Sequence, residues 1–197
     1  GIEALAAAGI REIGIVVGDT HEEIRKAVGN GERWNVEVTY IEQDAPRGLA
    51  HAVLISEEFI GHEPFVMYLG DNLLNKGIAP FVQEFVNTSP AAQILLTRVP
   101  DPQMFGVAEL EAGKVVRLVE KPKEPQSDLA LVGVYMFSPE VFESVKQIRP
   151  SFRNELEITD AIQNLIDRGF VVRPHLVEGW WKDTGKLDDM LEANRLI

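Results

Sequence analysis

Phe65-Val66-Met67-Tyr68-Leu69-Gly70-Asp71-Asn72 is the stretch on which the fold reading turns. From Phe65 to Leu69 no strongly polar side chain interrupts the run, and it halts at Gly-Asp-Asn, which is turn chemistry. A short run that is apolar at every position reads as a strand buried on both faces. Ile13 to Val17, ended by Gly18, is a second run of this kind, and Gln93 to Val99 reads as a further strand. Val36, Val38 and Tyr40 alternate with Glu37 and Thr39, the period of a half-buried strand. Helical spacings fall between these runs. Ile2, Leu5 and Ala6 are closed by Gly9; Asp19-Thr20 opens a second helix, with Thr20 and Glu23 spaced as a capping box and Gly29 as its stop. A turn at Pro46-Arg47-Gly48 leads into a helix from about Leu49 to Glu58, and Ile78 to Val86 forms another. The order αβαβαβαβ marks an α/β fold whose mostly parallel sheet is covered on both faces.

Beyond Val99 the pattern changes. Gly106 to Leu110 and Lys114 to Glu120 are two strands around Ala112-Gly113, an inserted antiparallel hairpin. Ala130 to Phe137 is a further buried strand, and Ser138-Pro139-Glu140 starts a short helix with Ser as N-cap and Pro at its first position. Glu155 to Arg168 is a longer helix closed by Gly169, Phe170 to Leu176 a strand, and Lys186 to Leu196 helical. With 197 residues, 45% hydrophobic and 25% charged, this is one globular domain rather than a disordered chain.

Lys and Arg total 19 against 31 Asp and Glu, a net charge of −12, so the field opposes nucleic acid and anionic membranes as general partners. A phosphate-bearing ligand must then be held by local cations, a metal ion or backbone N–H groups. The absence of cysteine excludes disulfides, thiolate catalysis, Fe–S clusters and cysteine-type zinc sites. No apolar run approaches the ~18–20 residues needed to span a bilayer, and the start lacks the basic region of a signal peptide. The expected compartment is the cytoplasm.

Five segments carry candidate chemistry. Leu69-Gly70-Asp71-Asn72 delivers a carboxylate at the end of a strand, where open α/β sheets bind their ligands. Trp181-Lys182-Asp183-Thr184-Gly185 supplies a second Asp beside large aromatics, although Asp183 would serve equally as a helix cap. Two such carboxylates are what a Mg²⁺ ion carrying nucleotide phosphates requires. Glu120-Lys121-Pro122 sets a hydroxyl acceptor beside a point cation, at what is otherwise an edge strand protected by charge and Pro. Gln43 to Ala52 offers an amide, both donor and acceptor, to one edge of a pyrimidine, with Gly48 admitting backbone close to a planar base. Arg153-Asn154 begins a helix, with Asn154 as a cap and Arg153 as a phosphate contact or a surface salt bridge. The histidines at 21, 51, 62 and 175 have no metal-ligand spacing, and neither a Gly-x-Ser-x-Gly elbow, a P-loop nor a Gly-x-Gly-x-x-Gly turn occurs.

Taken in this order, the segments resemble the sugar-1-phosphate nucleotidyltransferase family, and within it the members that use dTTP and glucose 1-phosphate. The matching stretches are Gln43-x-x-Pro46-x-Gly48-Leu49-Ala50-His51-Ala52, Leu69-Gly70-Asp71-Asn72, Asp101-Pro102-x-x-Phe105-Gly106-Val107, Glu120-Lys121-Pro122, Val132-Gly133-Val134-Tyr135, Glu155 to Asp160 and Trp181 to Gly185. Gly179-Trp180-Trp181 is similar to longer members that carry a C-terminal β-helix domain. The family's opening Gly-rich phosphate loop does not occur, so residues 1–197 read as a nucleotidyltransferase domain incomplete at its N-terminus and inactive in transfer by itself. Arg47 is a smaller departure from the family pattern.

The resemblance implies a Rossmann-like nucleotide-diphospho-sugar transferase fold and a direct displacement: the sugar phosphate attacks the α-phosphorus of dTTP or UTP and pyrophosphate leaves. It implies Mg²⁺ on Asp71 and Asp183, Lys121 on the sugar phosphate with Arg153 as second cation, and Glu120 on sugar hydroxyls. Gly106 and Gly133 would line the sugar pocket, Trp181 would bind substrate, Gln43 and Gly48 would read the base, and the complete enzyme would be a homo-oligomer. Two alternatives stand beside this: a UTP-dependent or other hexose-1-phosphate enzyme, and a non-catalytic sugar-nucleotide-binding subunit.

Overall fold

A computed structural model of the chain describes residues 1–19, 21–75, 77–177 and 181–184. The expected capping residue Thr20, the expected helix from Lys186 to Leu196, Gly179, Trp180 and Gly185 lie outside the described residues. The first half contains α1 (Ile2–Ala7), β1 (Glu12–Val17), α2 (His21–Val28), β2 (Glu37–Glu42), α3 (Leu49–Ile55), α4 (Glu57–Ile60), β3 (Phe65–Tyr68), β4 (Asn72–Leu74), α5 (Ala79–Thr88) and β5 (Ala92–Arg98). The second half contains the hairpin β6 (Gly106–Glu111) and β7 (Lys114–Glu120), then β8 (Leu129–Phe137), α6 (Glu140–Gln147), α7 (Ile158–Asp167), β9 (Val172–Leu176) and β10 (Trp181–Asp183).

The α/β, Rossmann-like class expected from the sequence holds, but the mostly parallel pairing does not: among the described strands the sheet is mixed, and antiparallel pairs outnumber parallel ones. β1 and β2 run parallel in a pair of their own, and β5 and β9 are parallel. β8 is antiparallel to β3, β5 and β6. β8 organises the molecule because every one of its nine residues is buried. Its side chains alternate between two apolar layers. Leu129, Leu131, Tyr135 and Phe137 pack with residues of α3, α6 and α7, whereas Val132, Val134 and Met136 pack with α1, α5 and β1. Each large side chain so buried contributes about 1.5–3 kcal/mol. This two-sided burial is why the strand reads as an unbroken apolar run.

The hairpin turn has Ala112 at φ 48° and Gly113 at φ 76°, the doubly left-handed turn whose twist matches that of paired strands. Several boundaries differ from the sequence reading. The expected helix from Leu49 to Glu58 breaks at Ser56, whose hydroxyl donates to the Ala52 carbonyl at 2.8 Å. Ser138 does not cap α6; its hydroxyl donates to the Ala91 carbonyl at 3.1 Å. The last described helix starts at Ile158 instead of Glu155, and Asn154 is no cap but sits at φ 61°. The physical reason is that Leu156 is recruited by another loop: its N–H donates to the Arg47 carbonyl at 2.8 Å and its carbonyl accepts from the Ala50 N–H at 3.0 Å. A residue whose backbone is committed to a neighbouring loop cannot join a helix. β1 is also less buried than its composition implies, with only Ile13 and Val17 fully covered. Among the described residues no helix is long and apolar enough to cross a membrane.

Candidate active site

β5 pairs with both ends of β8, β3 only with residues 134–137, and β6 with Ala130. Because a strand has two edges, β3 and β6 must share the edge opposite β5 and part company between residues 130 and 134. A divergence of strands is where open sheets form ligand crevices. Gly133 occupies this fork. Its carbonyl accepts from the Leu69 N–H at 2.8 Å, and its N–H donates to Asn72 Oδ1 at 2.9 Å, so a side chain takes the place of the next ladder partner. A Cβ on Gly133 would lie 2.5–2.8 Å from the Asn72 amide, and therefore only glycine leaves room for it.

A cleft of about 280 Å³ opens at the fork, lined among others by Gly106, Glu120, Lys121, Gly133, Arg153, Trp181 and Asp183. These are seven residues that the sequence reading assigned to a site, drawn from five separate stretches of chain. Asp71, Gln43 and Gly48 are not on this lining. Asp71 immediately precedes β4, and Asp183 of β10 stands opposite Asn72 in antiparallel register. The Thr184 N–H and hydroxyl both donate to the Asp71 carbonyl at 2.7 Å. The two strand-end acids, 112 positions apart, are thereby brought to adjoining backbone. Gly48, at φ 97°, presses against the Glu155-Leu156 backbone, which carries the Gln43 to Gly48 loop to the rim of the cleft.

Asn72 is the hub that sequence reading missed. It is 2% exposed. Besides accepting from Gly133, its Oδ1 accepts from Trp181 Nε1 at 2.6 Å, while its Nδ2 donates to Asp71 Oδ1 at 2.8 Å. One amide thus orients a carboxylate, a tryptophan and the fork. The signal for it was present as the Asn of Gly70-Asp71-Asn72, but an Asn after Gly-Asp is ordinary in a turn. Tyr135, a second omission, lines the cleft from β8. Burial, then the charges of Glu120 and Asp71, push its phenol well above the ordinary range, so it stays a hydrogen-bond donor.

Among the described residues the cleft lining carries four carboxylates, Glu120, Glu155, Glu157 and Asp183, and two cations, Lys121 and Arg153. Glu157 is buried and is held by Arg153 in a two-pronged pair, Nε at 3.1 Å and Nη2 at 2.8 Å, with the Ser151 hydroxyl donating at 2.7 Å. Arg153 also meets Glu155 at 3.1 Å and Glu120 at 3.6 Å. Arg153, expected as a phosphate contact or a surface salt bridge, is half-buried and pairs with three acids. Glu120 titrates above the ordinary carboxylate range because burial disfavours its charge and Glu157 repels it; Arg153, Lys121 and the Thr159 hydroxyl offset this only in part. Lys121 sits at φ 42°, a conformation that costs a non-glycine residue about 1–2 kcal/mol. Its N–H donates to the Phe105 carbonyl at 3.0 Å, which anchors the turn after β7. Strain of this kind concentrates at functional positions.

The Gln43 side-chain nitrogen lies 3.4 Å from the Gly48 carbonyl and 2.9 Å from His51 Nδ1. Among the described residues no group of three or more His, Asp or Glu side chains gathers in a way that could hold a metal ion. A cation at Asp71 and Asp183 would therefore complete its shell with ligand oxygens and water, the habit of Mg²⁺.

The family model for nucleotidyl transferases matches residues 1–197. The glucose-1-phosphate thymidylyltransferase of Streptomyces griseus is 57% identical over 198 residues, covering 100% of this chain and 56% of that protein. The low-salt glycan biosynthesis nucleotidyltransferase Agl11 of Haloferax volcanii is 50% identical, with the same coverage of 100% and 56%. The chain spans about half the length of these curated relatives. Among solved structures, a Bacillus anthracis protein described as a glucose-1-phosphate thymidylyltransferase, in complex with a sucrose, superposes with a TM-score of 0.91 at 38% identity, over 99% of this chain and 79% of that one. A UDP-glucose pyrophosphorylase complexed with UDP-glucose superposes with a TM-score of 0.85 at 24% identity, over 99% and 83%, a likeness of fold alone.

Proposed function

The chain belongs to the nucleotidyl transferase family, and from that premise we propose that its cleft serves the transfer of a thymidylyl group from dTTP to glucose 1-phosphate, with release of pyrophosphate. The carrying observation is the convergence of Glu120, Lys121, Gly106, Gly133 and Asp183 on one cleft at the fork of the sheet. The sugar phosphate oxygen attacks the α-phosphorus directly, so no protein nucleophile is required. The protein's part is positioning and charge neutralisation.

Lys121, just past the end of β7, is the point cation for the sugar phosphate. Arg153 adds a second cation once it loosens its 3.6 Å contact to Glu120, the longest of its three. That release frees Glu120 to accept hydroxyl hydrogens of the hexose, while Gly106 and Gly133 keep the walls close to backbone. A cleft whose described lining has twice as many acids as bases repels a polyphosphate unless a cation enters with it. The oxygen-only donors Asp71 and Asp183 fit Mg²⁺, which when bound would neutralise charge on the nucleotide phosphates. Gln43 and Gly48 meet the base, and the similarity to thymidylyltransferases supports dTTP over UTP.

Calorimetric titration of glucose 1-phosphate tests this reading. The wild-type chain is expected to bind it, Lys121→Ala to weaken it by a factor of ten or more, and free glucose to be insensitive to the Lys121 change. Equal affinity of wild type and Lys121→Ala for glucose 1-phosphate refutes the assignment of the cleft.

A further inference from the structure

The Gln43 side chain has a second feature, independent of the cleft walls. Its nitrogen lies between two acceptors, the Gly48 carbonyl at 3.4 Å and His51 Nδ1 at 2.9 Å. A carbonyl oxygen only accepts, so it settles which end of the amide faces inward: the nitrogen. The other N–H then goes to Nδ1, which requires the neutral His51 ring with its proton on Nε2. An amide nitrogen carries two hydrogens, and both are committed. Among the described residues nothing donates to Oε1. The frame that holds the amide is itself stiff. The Gln43 N–H donates to the Val17 carbonyl at 2.8 Å, Gly48 is wedged against Leu156, and His51 lies on α3.

We infer that His51 is a positioning residue that, together with the Gly48 carbonyl, locks the Gln43 amide with its oxygen toward the ligand, so that the chain selects a base bearing a ring N–H. This rests on the reading above that Gln43 meets the base. A free amide is a poor discriminator, because a half-turn about its last bond exchanges donor for acceptor. A locked one is not. Thymine and uracil present N3–H, which the oxygen accepts. Cytosine presents a bare N3, which leaves two acceptors facing each other and neither satisfied. Without His51 the amide keeps only the long 3.4 Å contact, and turning to offer an N–H to cytosine becomes inexpensive. The O4 of thymine must find its donor elsewhere, since Gln43 has none left.

The test measures dissociation constants for dTMP and dCMP with wild type, His51→Ala, His51→Gln and Gln43→Ala. Wild type is expected to prefer dTMP by about tenfold or more, roughly one decade per unpaired buried polar group. His51→Ala should lose most of that preference, chiefly by gaining affinity for dCMP. His51→Gln, whose amide oxygen can accept in place of Nδ1, should restore it. A residue that merely supported α3 would weaken both nucleotides alike and leave the ratio unchanged. Nitrogen-15 spectra of wild-type His51 supply a readout that needs no variant: Nδ1 should be the unprotonated nitrogen, and a protonated Nδ1 overturns the inference. The two levels of the argument fail differently. If wild type binds both nucleotides equally, or Gln43→Ala keeps the preference, the base-reading role of Gln43 falls and takes the inference with it. If Gln43→Ala abolishes the preference while His51→Ala retains it, the base-reading role stands and only the part assigned to His51 is refuted.

Discussion

Replacing Asn72 with Asp isolates one bond of the hub. The substitution is isosteric, and an aspartate accepts from the Gly133 N–H and the Trp181 indole as the amide did. What it removes is the donor to Asp71, whose oxygen lies 2.8 Å from Asn72 Nδ2. Two carboxylates at 2.8 Å with an effective dielectric near 20 repel by about 6 kcal/mol. The folded protein has a cheaper course, which is to take up a proton. Starting from an ordinary aspartate near 3.9, holding one carboxyl protonated at pH 7 costs about 4 kcal/mol, which caps the destabilisation there. The protonated carboxyl can donate to its neighbour and so replace the lost hydrogen bond. Between the ordinary aspartate pKa and the raised one, the folded variant binds one more proton than the unfolded chain. Its stability therefore falls as pH rises through that window and recovers as pH falls, by about 1.4 kcal/mol per unit. Urea unfolding in metal-free buffer should show the deficit of Asn72→Asp relative to wild type shrinking by about 3 kcal/mol between pH 7.5 and pH 5. Asn72→Ala is the control. It leaves the Gly133 N–H and the Trp181 indole unpaired at about 1–3 kcal/mol for each group that stays buried, with no dependence on pH. An Asn72→Asp deficit equal at the two pH values would refute the Asn72 to Asp71 bond.

Two further outcomes follow from the same geometry. Glu120 is raised by burial and by Glu157, so its charge costs stability above the ordinary glutamate range, and that cost is relieved as pH falls through its folded pKa. Glu120→Gln should raise the melting temperature at pH 8, raise it less at pH 4, and weaken glucose 1-phosphate binding; a melting temperature lowered at pH 8 contradicts this balance. Gly48→Ala places a Cβ 2.4 Å from the Leu156 carbonyl at a φ of 97°, so the loss should exceed the ~1 kcal/mol usual for such a position and reach about 3 kcal/mol. An unchanged melting temperature would mean that the 46–48 turn is not clamped to residues 155–156.

Much of the fold was legible because its signals are local. The apolar run through β8, the alternation in β2 and the Ala112-Gly113 turn each declare their element within ten residues. β4 and β10 went unread because each has three residues, too few for a period, and each exists only through pairing with a segment more than 100 positions away. The start of α7 was misplaced for a related reason. Glu155 and Leu156 have good helical neighbours, but the Leu156 backbone is bound to residues 47 and 50.

The candidate site divides along the same line. Residue type was readable from the chain: carboxylates at strand ends, a Lys beside a Glu, a Gln before a Gly turn, glycines where backbone must come close. Those are properties of single residues and short spacings, and they carry the family resemblance without a structure. Which of these groups remain available to a ligand was decided only in three dimensions. Arg153 is already shared among three acids, and the Gln43 amide nitrogen lies against the Gly48 carbonyl and His51 Nδ1. The Asn72 amide, an ordinary turn residue in the sequence, holds Asp71, Gly133 and Trp181 together. The reason is physical. A side chain's chemistry is set by its covalent structure and is written at one position, whereas the commitment of its donors and acceptors depends on which distant segments the packed sheet brings within 3 Å.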